Sequence, residues 1–273
     1  MASAGSRGTA LVTGASRGIG RAVADGLAGE GWRVALVSRS AEALELVAED
    51  LTAAGGDAEG FAADVRQPDE VDRLRAEVEA WGPPPTVLVN AAGVFGPLEG
   101  VTQSDPHAWI TTQQVNVFGP YLTCRAFAPA MVEAGWGRIV NVTSASSLHT
   151  PGPLASAYQT SKAALNHMTR HLAAELAGTG VTANVLHPGD LRTDMWADIR
   201  ERADAIGESA AAYAQWCAWV DETGGDPPEK AVRVVLDVIA SDGSTTGAFL
   251  WIEEGLQPPV AAWDPTPLAR PWD

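Results

Sequence analysis

Apolar residues along this chain follow two alternating rhythms. Short β-branched runs, "TALVTG", "RVALVSR", "AEGFAAD", "TVLVNAAG", "GRIVNVTS", "VTANVLHPG" and "GAFLWI", carry the density of Val, Leu and Ile that strands require. Between them lie Ala-, Leu- and Glu-rich stretches with helical spacing: "GIGRAVADGLAGEG", "AEALELVAEDLTAAGG", "PDEVDRLRAEVEAWG", a long region near 105–134 and another near 155–177. Strand, helix, strand at this spacing predicts a parallel sheet covered by helices on both faces, a doubly wound (Rossmann-type) α/β fold in a single domain. Such sheets bind ligands beyond the carboxyl ends of their strands, where strand order reverses.

The rhythm fails after His187-Pro188-Gly189 and resumes near Pro227. The intervening residues, about 191–224, contain Trp196, Tyr213, Trp216 and Trp219, and an insertion of this length after a strand reads as a substrate lid. Tyr213, Trp216 and Val220 recur at helical spacing, which predicts a packed helix face as readily as a pocket wall. Both can hold at once. The expected organisation is a flexible N-terminus over 1–8, a nucleotide-binding domain over 9–255, and a tail over 256–273. Pro258, Pro259, Pro265, Pro267 and Pro271 exclude regular helix from that tail, while Trp263 and Trp272 favour its docking on a surface.

Composition narrows the function classes. With 18 Lys plus Arg against 34 Asp plus Glu, the formal charge of −16 opposes approach to nucleic acid or anionic lipid, so neither partner is expected. The N-terminal residues do not read as a secretion signal, no apolar run is long enough to span a bilayer, and a cytoplasmic location is expected. Cys124 and Cys217 are far apart and lack metal-ligand spacing, which predicts core thiols and no metal site.

Three stretches carry chemistry. In "YQTSK", Tyr158 and Lys162 stand one helical turn apart on one face. A cation beside a phenol favours the phenolate and is expected to bring its pKa down toward the working range, an acid/base device if a substrate lies above it. In "TGASRGIG", Gly14, Gly18 and Gly20 follow the first strand, where backbone freedom and the free N–H groups of the next helix suit a pyrophosphate. The second strand ends in Ser38 and Arg39, and Arg17 sits within the glycine loop. Two guanidinium groups without a carboxylate favour a 2'-phosphate over a free ribose hydroxyl, so the cofactor expected is NADP(H).

"TGASRGIG", "NAAG" at 90–93, Asn116, "GRIVNVTS", "YQTSK" and "HPGDLRTDM" occur in the order and at about the intervals of the short-chain dehydrogenase/reductase family, which the chain resembles over roughly residues 8–255. The resemblance implies that Tyr158 is the proton donor and acceptor, that Lys162 lowers its pKa and holds the nicotinamide ribose, and that Ser144 orients the substrate oxygen. It makes Asn116 the residue that keeps a helix open around a relay water. Asp64 and Val65 are similar to the pair that brackets the adenine; Asn90, Ala91 and Gly93 resemble the wall beside the cofactor. By the same resemblance Ser16, Arg17 and Ile19 join the loop glycines as cofactor contacts, and Pro188, Gly189, Leu191 and Thr193 contact the nicotinamide side.

The departures from the family are local. The paired asparagines become Asn90-Ala91, Ser146 and Ser147 compete with Ser144 for the serine role, and "WIEEG" replaces the usual Asp-Gly-Gly. The expected activity is NADPH-dependent interconversion of a ketone or aldehyde with an alcohol, on a bulky hydrophobic substrate, by a homotetramer or homodimer. Asp190, next to the expected nicotinamide pocket, points instead to a polar or amine-bearing substrate. The alternatives are an NAD-linked alcohol or steroid dehydrogenase and an NADP-binding sensor without chemistry. His167 and His171 are four apart but lack a third ligand, which suits a surface role, and the "NVT" at 141–143 lies in an expected buried strand. His149 and His187 are either substrate contacts or loop packing.

Overall fold

The computed structural model describes residues 7–148 and 152–252. The expected N-terminal flexibility before Arg7, the docking of the Pro/Trp tail and the role of His149 fall outside the described residues. Seven parallel strands run in the order β3-β2-β1-β4-β5-β6-β7. They are β1 (Thr9–Thr13), β2 (Arg33–Ser38), β3 (Asp57–Ala62), β4 (Val87–Asn90), β5 (Gly137–Val142), β6 (Val181–His187) and β7 (Phe249–Trp251). The helices are α1 (Gly18–Gly29), α2 (Ala41–Ala53), α3 (Pro68–Trp81), α4 (Pro106–Gln113), α5 (Gly119–Ala134), α6 (Ser156–Glu175), α7 (Asp194–Ile206), α8 (Ala211–Thr223) and α9 (Pro228–Ala240). Every strand read from the sequence is present, and the fold is the doubly wound sheet expected.

The two-residue period of the strands divides the core. Ala10, Val12, Val34, Leu36, Val87 and Val89 face the layer of α1, α2 and α9, whereas Leu11, Ala35, Val37, Leu88 and Ile139 face α3, α5 and α6. Both sets are fully buried, which is why these strands read as nearly continuous apolar runs. Chain order reverses between β1 and β4, and the turns after both strands open there.

The glycine loop shows why that opening persists. Gly14 has φ of 69°, and a Cβ on it would lie 2.8 Å from the Ala92 backbone after β4. A Cβ on Gly20 would lie 2.3 Å from the Gly14 carbonyl oxygen, so α1 can approach β1 only with glycine there. Gly20→Ala is expected to cost about 1–3 kcal/mol by overpacking, read from urea unfolding midpoints. Gly29→Ala, in the same helix with no atom within 4 Å of the new methyl, is expected to leave stability unchanged or raise it by up to about 1 kcal/mol. Equal midpoints for the two variants would refute this account.

Candidate active site

Beyond the carboxyl ends of β1, β2, β4, β5 and β6 lies a cleft of about 1600 Å³. Its floor at the reversal point is made by Gly14, Ser16, Arg17, Gly18 and Ile19. One end is lined by Ser38, Arg39, Asp64 and Val65, the middle by Ala91 and Gly93, and the far end by Ser144, Tyr158, Lys162, Pro188, Gly189, Leu191 and Thr193. Thr193 also caps α7, its hydroxyl accepting from the Trp196 N–H.

Three expected contacts stand elsewhere. Asn90 is buried inside the core, donating to Asn141 Oδ1 at 2.9 Å and accepting from Thr123 at 2.7 Å, so its side chain is not part of the cleft wall. Gly20 lies behind Gly14 as a packing residue, its missing Cβ taken up by backbone. Asn116 is fully buried rather than cleft-lining, and lies in a π-helical turn, Gln114–Phe118, between α4 and α5. There its side chain accepts from the Val94 N–H at 2.9 Å and donates to the Val94 carbonyl at 2.8 Å and to Ser161 Oγ at 2.9 Å. The widened turn ties the chain after β4 to the middle of α6.

The two residues of "YQTSK" meet as their spacing predicts, but the electrostatics run the other way. Lys162 is 4% exposed, and its Nζ lies 5.6 Å from the centre of the Tyr158 ring while donating to the Val142 carbonyl at the end of β5, 2.8 Å away. Burial pushes the Lys162 ammonium down to about 8. Burial also pushes the Tyr158 phenol up to about 12; a hydrogen bond with Ser144 opposes this, and the nearby Asp190 charge adds to it. The expected lowering of the phenol by its neighbour is therefore corrected: removing the oxygen from water outweighs the cation, whose charge is directed at a carbonyl. At neutral pH Tyr158 carries its proton.

Geometry separates Ser147 from the other two serines. Ser147 is held by two partners, donating to the Ser144 carbonyl at 2.6 Å and accepting from Asn166 at 2.7 Å, and it does not line the cleft. Ser144 lines the cleft close enough to Tyr158 to oppose the rise in its pKa, and its Oγ is 2.9 Å from that of Ser146, its neighbour in the wall.

Arg17 lines the cleft but pairs with Asp194 at 2.8 Å, with both side chains largely exposed. Arg39 is exposed and close enough to Asp64 to act on its charge. Asp64 is held below the usual carboxylate range chiefly by its hydrogen bonds from Arg66, at 2.9 Å and 2.5 Å. The absence of a carboxylate read from the second strand holds for that strand, and the third contributes one beside it.

The region after β6 folds as a small cap, α7 and α8, with its own core of Trp196, Ile199, Ala203, Cys217 and Val220. Tyr213 and Trp216 pack against that core and also line the cleft, so both readings of the helical stripe hold. Two residues were missed from the sequence. Phe95 stacks on the Tyr158 ring with centroids 4.7 Å apart and meets Tyr213 edge-on at 6.1 Å. Arg202, on α7, donates to the Gly96 carbonyl at 2.6 Å with its guanidinium 5.8 Å from the Phe95 ring centre. The large apolar residue straight after "NAAGV" was a legible signal for Phe95, whereas a charged helix residue such as Arg202 carries none.

His187 lines the cleft and meets the Trp251 ring edge-on, while His167 and His171 contact each other at the surface, 3.3 Å apart. Both cysteines are buried thiols, and among the described residues no group of His, Cys, Asp or Glu is arranged to hold a metal ion. No described helix is long and apolar enough to cross a membrane.

The family model described as short chain dehydrogenase matches residues 8–204. A galactitol 2-dehydrogenase (L-tagatose-forming) of Cereibacter sphaeroides is 37% identical over 251 residues, covering 90% of this chain and 93% of that protein. Actinorhodin polyketide ketoreductase, solved with NADPH, superposes with a TM-score of 0.83 at 32% identity, over 92% of this chain and 97% of that one. An NAD+-bound xylitol dehydrogenase reaches 0.81 at 26% identity, over 90% and 98%.

The buried pair yields a pH signature. Lys162 titrates near 8 in the fold against its usual 10.5, so between these values the unfolded chain holds more protons and stability rises with pH. This contribution is complete above about 10.5 and lost as pH falls through 8. The gap in unfolding free energy between wild type and Lys162→Met is expected to grow in favour of wild type from pH 8 to 10 in urea titrations. A constant gap would show that the ammonium is not desolvated.

Proposed function

The chain belongs to the short-chain dehydrogenase/reductase family of oxidoreductases, and from that premise we propose that it is an NADP(H)-dependent carbonyl reductase, reversible to a secondary-alcohol dehydrogenase. The observation that carries the reading is the protonated Tyr158 phenol with Ser144 and the Lys162 ammonium beside it, all three on the wall of one cleft. The cleft suits a dinucleotide. Its floor is the backbone of Gly14, Ser16, Arg17, Gly18 and Ile19 at the start of α1, and a Cβ at Gly93 would lie 3.7 Å from Lys162 Nζ, so glycine there keeps the cleft open.

Ser16 and Gly18 would hold the pyrophosphate, Arg17, Arg39 and Ser38 the adenosine 2'-phosphate, Asp64 and Val65 the adenine, and Lys162, Pro188, Gly189 and Thr193 the nicotinamide half. When bound, the nicotinamide supplies or takes up the hydride. Tyr158 Oη gives its proton to the carbonyl oxygen of the substrate in reduction and takes it back in oxidation. Ser144 Oγ donates a second hydrogen bond to the same oxygen, strongest as negative charge develops there. A phenol pushed up to about 12 is a fully loaded acid at neutral pH, which suits the reductive direction. Lys162, anchored on Val142, has two further protons that would be free to bind the ribose and the phenol. Asn116 keeps the π turn in register with Ser161, whose hydroxyl bonds the Tyr158 carbonyl at 2.6 Å.

The aromatic wall supports a bulky substrate. The NAD-linked dehydrogenase remains the alternative, favoured by the carboxylate of Asp64 beside Arg39; the complete Asn116, Ser144, Tyr158 and Lys162 set argues against a sensor without chemistry. A homodimer or homotetramer and a cytoplasmic location belong to the same reading, the former supported by the exposed Ile110, Phe118 and Tyr121 around α4 and α5.

Tyr158→Phe is expected to lower kcat by about a hundredfold or more, followed as loss of NADPH absorbance with a panel of ketones. Turnover close to wild type would end the mechanism. Arg39→Asp is expected to reduce the ratio of kcat/KM for NADPH over NADH by about tenfold or more. An unchanged ratio would reassign the coenzyme to NAD(H).

A further inference from the structure

Five carboxylates line the cleft, and four have a cation. Asp64 pairs with Arg66, Asp194 with Arg17, Asp198 with Arg202, and Asp226 with Lys230 at 3.0 Å. Asp190 is the fifth, and its carboxylate has neither an ion pair nor a hydrogen bond among the described residues. It is partly buried and close enough to Tyr158 for its charge to act on the phenol. Lys162 does not answer it, since that ammonium is directed at Val142 and shifted by burial alone.

The Asp190 backbone is clamped. Its N–H donates to Asp226 Oδ2 at 3.0 Å and its carbonyl accepts from the Asp226 N–H at 2.9 Å. The carboxylate is thus held in place without a cation of its own, which leaves it open to one brought by a ligand. The aromatic residues of the same cleft are of two kinds. Trp196 is already covered by Arg192 and Arg200, and Phe95 by Arg202. Tyr213, Trp216 and Trp219 also line the cleft and have no cation over them among the described residues. Open aromatic faces in a cleft that also holds a fixed negative charge favour an organic cation. The chain's overall charge of −16 raises the local concentration of such ligands further.

We propose that Asp190 is the specificity-determining residue of the substrate end of the cleft, and that the substrate is a carbonyl compound or alcohol bearing an ammonium group, held by Asp190 with Tyr213, Trp216 and Trp219. This rests on the oxidoreductase reading above for the chemistry, but the cation site is testable without turnover. A polyol would be met equally well by neutral acceptors. A carboxylate without a counter-charge, in a cleft with open aromatic faces, selects for charge.

The test uses the full chain saturated with NADP+ or NADPH at pH 7. Calorimetric titration compares benzylammonium with benzyl alcohol, and initial rates compare 4-(aminomethyl)acetophenone with 4-(hydroxymethyl)acetophenone. The ammonium member of each pair is expected to be favoured by about tenfold or more. Asp190→Asn is expected to bring both ratios to about one, and Asp190→Lys to turn the preference toward 4-acetylbenzoate, with thermal melts establishing that both variants fold. Equal binding of the two benzyl ligands by wild type, or a preference that survives Asp190→Asn, would overturn the proposal. Preferential binding without turnover of either ketone would keep the cation site and remove the oxidoreductase reading; turnover of both without preference would do the reverse.

Discussion

The structure depends on one buried contact, the Lys162 ammonium against the Val142 carbonyl at the end of β5. A charged group that is 4% exposed and donates at 2.8 Å to a strand end fixes the rotation of α6 about its own axis. Hydrogen bonds to a buried charge are worth about 1.5–3 kcal/mol, and leaving the ammonium without that acceptor would cost more. The rotation of α6 decides that Tyr158, one turn earlier, faces the cleft rather than solvent. The same rotation brings Thr169 under Asn141 at 2.8 Å and Asn166 beneath Thr143 at 2.5 Å. A polar seam thus runs along the face of α6 against β5, and any slip of the helix would leave several buried groups unpaired at once.

That seam leads into the floor of the cleft. Asn141 receives the hydrogen bond of Asn90, which in turn accepts from Thr123 on α5, so the ends of β4 and β5 are joined by side chains as well as by the sheet. The π turn at Asn116 adds a second tie, from the segment after β4 to Ser161 on α6. The cleft wall is thus braced from behind by Asn90, Thr123, Asn141, Asn116 and Ser161, none of which lines it. Its rigidity comes from satisfied polar networks in a dry interior.

The cap follows a different logic. Residues 194–223 have a small apolar core of their own, joined to the sheet domain chiefly through Phe95, Tyr158 and the reach of Arg202 to the Gly96 carbonyl. Leu154, just before α6, adopts the left-handed conformation with φ of 75°, and its carbonyl accepts the Glu99 N–H at 2.8 Å. Strain at a non-glycine residue beside the cleft is held in place by its neighbours. The cap, the loop after β4 and the start of α6 meet at the Tyr158 ring, so this end of the cleft is walled by segments far apart in the chain.

Much of this was legible in the sequence because it is local. Strand and helix alternation follows from periods of two and 3.6 residues, the glycine loop from backbone sterics, and the Tyr158–Lys162 pair from one helical turn. The direction in which the phenol titrates was not legible, since it is set by how completely the fold excludes water from residues whose spacing says nothing of burial. Nor was the placement of Asn90, which the motif puts at a strand end near the cofactor and the packing of α5 turns into the core. The pairing of Arg17 with Asp194 and the isolation of Asp190 depend on which charges the cap brings together across the cleft. Spacing along the chain determined which groups this protein possesses and on which elements they ride; distance through the folded interior, where charge is no longer screened by water, decided what those groups do to one another.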